Sequence, residues 1–151
     1  MLDFFKKRRV KLCEHQYKNL LIPLPSHWEY QLEEGDIQAC YDPKSQSTLR
    51  IHIIKAIHRG TYMERDIEAL TNDQPYVTTS RGYLLVNPTY VNSHENGQNI
   101  TLVTWRLVNH TPIQKLIAVL TYTVISTEIE SKKEKQTISL IENCLQKAEL
   151  K

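Results

Sequence analysis

The chain has 151 residues and a mass of 17.7 kDa, with 40% hydrophobic and 24% charged residues and a net charge of +2. A chain this long buries roughly 70% of its unfolded surface, so it can build a full core as one domain. Four glycines and a near-balanced charge argue against glycine-cradled phosphate sites, long flexible linkers and a strongly basic nucleic-acid binder.

The charge is unevenly placed. Lys6, Lys7, Arg8, Arg9, Lys11 and Lys18 face Asp3 and Glu14 in the first 20 residues, a net +4, which leaves −2 for the remainder. Residues 1–16 read as a basic N-terminal arm or short helix, with Leu2, Phe5 and Arg9 near one helical face through about residue 14. Residues 17–151 read as one domain. Cys13, Cys40 and Cys144 are too few for a disulfide framework. "MLDFFKKRR" does not have the layout of an export signal, and no run reaches the roughly 18 apolar residues of a membrane span. The expectation is a reducing, cytoplasmic setting.

From Tyr17 onward the pattern is that of short strands. "YKNLLI" is a strand stopped by Pro23 and Pro25. "WEYQLEE" places Trp28, Tyr30 and Leu32 on one face and Glu29, Gln31 and Glu33 on the other. Gly35-Asp36 turns the chain into "IQACYD"; a polar loop from Asp42 to Ser47 then leads to "TLRIHIIKA". Strand and turn alternate here as in an antiparallel meander. After Gly60, Tyr62, Met63, Ile67 and Leu70 fall at helical offsets, predicting a helix from about Tyr62 to Thr71.

A second meander follows. "GYLLVNPTYVNS" is interrupted by Pro88, which predicts an edge or a bulge, and Asn96-Gly97 is a tight-turn signal. "NITLVTWRLVN" and "QKLIAVLTYTVIS" are the strongest strands. In the latter, neither the Leu116, Ala118, Leu120, Tyr122, Val124 face nor the Ile117, Val119, Thr121, Thr123, Ile125 face carries a charge. An antiparallel strand wetted on one side should be polar there. The expectation is therefore a strand covered on both faces by helices. Ile138, Ile141, Leu145 and Ala148 predict one such helix over about Glu130 to Ala148, with Ser131–Glu134 and Thr127–Glu130 both fitting a capping box.

Sequence motifs for phosphate loops, dinucleotide sites, nucleophile elbows and zinc-protease helices are not found. Cys13 and His15 are two apart without a matching second pair, so no metal or cofactor is expected. A Cys40, His52, His58 site is one enzymatic alternative; the plainer reading makes the cysteine a core residue and the histidines a strand and a loop residue. "NPTY", Asn87 to Tyr90, matches an endocytic peptide motif but falls inside a strand pattern. Lys6, Lys7, Arg8, Arg9 and Lys11 are the candidate partner-binding residues, toward a protein surface, nucleic acid or an anionic membrane.

"LPSHW", Leu24 to Trp28, leads into a strand pair, then "YDP…LRIHI", a middle helix, a second meander and a terminal amphipathic helix. This order resembles the PsbP-like αβα-sandwich superfamily, and in particular its small bacterial members, over about residues 17–148. The resemblance implies an α+β fold, with an antiparallel sheet of about six or seven strands flanked by helices on both faces. It also implies a non-enzymatic, protein-binding or accessory role in the bacterial cytoplasm, immunity-type or scaffolding. The loops Asp42–Ser47 and Asn92–Gly97 are then the expected contact surface.

Overall fold

Two antiparallel sheets of unequal size share one main buried cluster. The computed structural model describes residues 10–57, 71, 73–111 and 114–151. The smaller sheet is ordered β1 (Leu12–Tyr17), β2 (Leu20–Pro25) and β10 (Glu149–Leu150), with β2 in the middle. The larger has seven strands. Its order is β3 (Glu29–Glu33), β4 (Ile37–Tyr41), β5 (Thr48–Ile57), β9 (Gln114–Ile125), β8 (Gln98–His110), β7 (Leu84–Glu95) and β6 (Tyr76–Thr78). One α-helix, α1 (Lys132–Lys147), lies wholly within the described residues, preceded by a 3-10 turn at Ser126–Glu128.

This corrects the expected αβα sandwich. The core face of the larger sheet is covered by α1 and the smaller sheet together: Ile22, Leu24, Ile141 and Leu145 join Trp105, Leu120 and Tyr122 in one buried cluster. Along β9 the far face is half-buried: Leu116, Ala118, Leu120, Tyr122 and Val124 are buried, while the residues between them are partly exposed, and toward one end Ile117 packs against the buried Leu84 and Val108 in a second, smaller cluster. The uncharged far face of β9 suggested helical cover, but the charge there comes from its neighbours. Arg50 stands opposite Thr121, and His52 and Arg106 stand on either side of Val119. Threonines and β-branched residues suit a pleated, half-wetted surface, so a strand without charges of its own can sit beneath charged side chains from the strands beside it.

The N-terminal expectation also changes. A helix through residue 14 gives way at Leu12 to β1, and residues 2–9 of that helix lie outside the described residues, as do Lys6, Lys7, Arg8 and Arg9. "YKNLLI" is not one strand: Lys18 has φ of 51°, and the chain turns there between β1 and β2. Pro23 lies within β2 rather than ending it. It is tolerated because β10 pairs with β2 only at Leu20 and Leu21, which leaves that side of Pro23 without a strand neighbour among the described residues. Pro25 ends β2, and its carbonyl accepts the Trp28 N–H at 3.1 Å, closing the corner that buries Leu24 and Trp28.

Other local signals act as read. Gly35 and Asp36, and again Asn96 and Gly97, have positive φ at the two hairpin turns. The register of β7 against β8 shifts between Val86 and Thr89, a bulge centred on Pro88. Ser131 caps α1 by accepting the Glu134 N–H at 3.2 Å. The helix expected over 62–71 lies outside the described residues apart from Thr71, which is helical and buried.

Candidate functional site

The suggested Cys40, His52, His58 constellation is not brought together. Cys40 pairs with Leu49 on the core face and is fully buried, and burial pushes its thiol up to about 12. His52 pairs with Val119 on the far face, so the sheet itself separates the two side chains. His58 lies outside the described residues. A thiol held this firmly in its neutral form is a core hydrophobe, not a nucleophile.

Cys13 is exposed, and His15 stacks flat on Tyr30 with ring centroids 3.7 Å apart while its Nε2 meets the Gln38 side chain. Among the described residues no group of three or more His, Cys, Asp or Glu is arranged to hold a metal ion. Of the basic arm, Lys11 is described; it is exposed, and its carbonyl accepts the Ser26 N–H at 2.8 Å. "NPTY" forms part of β7, spanning the bulge.

The Asp42–Ser47 loop borders a cleft of about 420 Å³ with the start of α1. The loop is hydrogen-bonded at both ends. Asp42 accepts the Lys44 N–H at 2.9 Å, which with a nearby His27 holds its carboxyl below the usual range. Ser47 donates to the buried Glu134 carboxylate at 2.6 Å. Glu134 also accepts from the Tyr122 hydroxyl, so its carboxylate is spent on the core rather than on the return half of a capping box. Ser131 N–H donates instead to the Glu128 carbonyl at 2.9 Å.

Two further features stand on the larger sheet. The first is a polar cleft of about 380 Å³ on the far face, walled by Arg50, His52, Thr121, Thr123 and Glu95 over Ile37, Leu102 and Val119. Strand register assembles it: Ile37, His52 and Val119 form one row, with the pairs Arg50–Thr121 and Thr123–Leu102 beside it. Arg50 forms a paired contact with Glu33, Nε–H at 2.8 Å and Nη2–H at 3.4 Å, and reaches Thr123 with Nη1–H at 3.4 Å. The second feature is the sheet margin at β6 and β7. β6 pairs with β7 only across Leu84–Val86, so from Tyr90 to Glu95 the outer edge of β7 has no strand beside it among the described residues. Tyr76 and Val77 on β6 and Tyr90 and Val91 on β7 are 43%, 49%, 56% and 53% exposed. They make up four of the seven exposed large hydrophobics among the described residues, so the apolar surface is concentrated at this margin.

Sequence reading missed both features. β6 is three residues long and carries no alternation strong enough to register as a strand. The cleft residues belong to separate strands, and no spacing within one strand reveals a row formed across four. The alternating threonines at 121 and 123 were the available signal.

No protein-family model matches the chain, and no curated protein matches it in sequence. Solved structures do. A crystal structure from Bacteroides thetaiotaomicron is similar with a TM-score of 0.58 at 17% identity, over 94% of this chain and 48% of that one. The present chain thus spans about half the length of that protein. LpqN, involved in cell envelope biogenesis of Mycobacterium tuberculosis, is similar with a TM-score of 0.56 at 14% identity, over 99% of this chain and 96% of that one. Similarity at this level of identity establishes a shared fold.

Proposed function

We propose that this domain is a non-enzymatic binding module, an accessory or scaffolding factor of the bacterial cytoplasm, that takes a protein partner along the open margin of its larger sheet. The observation that carries this reading is the edge of β7 from Tyr90 to Glu95, with Tyr90 and Val91 exposed and no strand alongside among the described residues. Edge strands of this kind offer a row of backbone donors and acceptors, and proteins that do not use them guard them with lysine, proline or cover. Here the edge beyond Pro88 carries no lysine. An extended segment of the partner would add one strand, with backbone bonds giving affinity and contacts at Tyr90 and Val91 giving selectivity.

The test is site-specific photo-crosslinking in the native host. A photoreactive phenylalanine analogue at position 90 is expected to give a discrete crosslinked product that Val91→Lys removes. The same analogue at the exposed position 136 on α1 should give none. Equal products at both positions, or none at position 90, would reject the reading. LpqN's described part in envelope biogenesis makes the compartment worth assaying in the same cells: fractionation is expected to place this chain in the cytoplasm, and recovery with the envelope would transfer the proposal there.

A further inference from the structure

Beyond a protein partner, we infer that the polar cleft on the far face of the larger sheet binds a small zwitterion with an apolar body, of the size of an amino acid or dipeptide.

Arg50 is the cationic side chain of the cleft. Its guanidinium carries five N–H groups. Three are used: Nε–H and one Nη2–H on Glu33, and one Nη1–H on Thr123. One N–H remains on each Nη with no protein acceptor among the described residues. These two donors, one on each Nη, are the fork left available to a carboxylate. Glu33 and Thr123 fix the guanidinium plane, so the fork is oriented before any ligand arrives. His52 lines the same cleft, and its Nδ1 is buried without a partner among the described residues.

Charge then selects the ligand. Glu33 already neutralises Arg50, and Glu95 lines the same cleft. Arg50, Glu33 and Glu95 together sum to −1. A phosphate dianion would be repelled, and a simple carboxylate would gain at the fork but lose against Glu95. A molecule with a carboxylate for the fork and an ammonium for Glu95 satisfies both. Ile37, Leu102 and Val119 form the cleft's apolar floor. A volume of about 380 Å³ is at the small end of ligand sites, where an amino acid or dipeptide fits.

Isothermal titration with L-leucyl-L-leucine, its N-acetyl derivative and its C-terminal amide tests this on the whole chain. The free dipeptide should bind, and each blocked form should bind roughly tenfold or more weakly, the loss expected when a charge-assisted bond is removed. Arg50→Lys keeps the charge beside Glu33 but removes the fork, and should weaken the free dipeptide while leaving the melting temperature near that of the unmodified chain. Glu95→Gln, at an exposed position, should weaken the free dipeptide and bring it level with its N-acetyl derivative. No heat from either L-leucine or the dipeptide at millimolar concentration would overturn the inference. So would equal binding of the N-acetyl form to the unmodified chain, or binding that neither substitution changes.

Discussion

The hydroxyl of Tyr122 and the carboxylate of Glu134 meet at 3.2 Å, and the contact ties the middle of the larger sheet to the first turn of α1. Glu134 is buried, and the Ser47 hydroxyl completes its coordination at 2.6 Å. A buried carboxylate is stable when hydrogen-bonded, and a place in the first turn of a helix adds a favourable dipole. Tyr122→Phe keeps the ring in the core and removes the donor. It should destabilise by about 1.5–3 kcal/mol, the range for hydrogen bonds to charged groups, read from urea midpoints at constant slope. Ser47→Ala should cost a similar amount. No loss in either variant would mean that the carboxylate is solvated in solution.

Trp28 closes the corner after Pro25 and is buried in the main cluster. Trp28→Ala should cost about 3–5 kcal/mol. In a Trp105→Phe background, Trp28 emission in the folded chain should be shifted to the blue of free indole in water. Emission matching free indole would show that the side chain is not part of the core.

The three thiols should divide by exposure. Cys13 is exposed and should react at once with a thiol reagent, whereas Cys40 and Cys144 should react only on unfolding. Burial raises Cys40 to about 12 and Cys144 to about 11 from an ordinary value of 9.0. Between about pH 9 and those values the unfolded thiols ionise while the folded ones stay protonated, so the unfolded state binds fewer protons. Stability is then fully present below pH 9 and falls as pH rises, by roughly 1 kcal/mol per thiol at pH 10. Urea titrations at pH 8 and pH 10 should show a smaller decline in Cys40→Ala than in the parent; an equal decline would place Cys40 in contact with water.

Gly97 has φ of +77° and follows Asn96 at φ of +48° in the turn between β7 and β8. A Cβ at position 97 would meet no atom, so any cost of Gly97→Ala is conformational. That cost should be roughly 1–2 kcal/mol. A neutral result in urea denaturation would indicate that the hairpin turns differently.

Much of the β-structure was legible locally, because each strand carried its own alternation and each hairpin its own turn residues. Trp28 and Tyr30 pack on the core while Glu29 and Glu33 do not, as the period of two dictates, but Leu32, expected on the same face, is 70% exposed at the end of β3. Ser131 announced the start of α1. The error lay in what covers the larger sheet. A strand's sequence reports its own side chains, yet wetting is decided by neighbours, and Arg50, His52 and Arg106 lie far from β9 in sequence. The second sheet was hidden for a similar reason: β10 is two residues long, and nothing in Glu149-Leu150 by itself marks a strand. The polar cleft was illegible because a row across four strands has no spacing along the chain.

The pairing of β10 with β2 also governs the order in which the molecule can assemble. Asn19 donates to the Lys151 carbonyl across a separation of 132 residues, and the Lys151 N–H returns a bond to the Asn19 carbonyl at 3.0 Å. Contacts of such long range form late, because the entropy of closing the loop comes before any reward. During synthesis β2 therefore waits on the ribosome without its third strand, and with it the fully buried Leu20 and Ile22, until residue 150 has emerged. Deleting residues 149–151 should thus slow folding and bare the edge of β2, and it would also take from the larger sheet the Leu150 carbonyl that accepts from Asn109 of β8 at 2.6 Å.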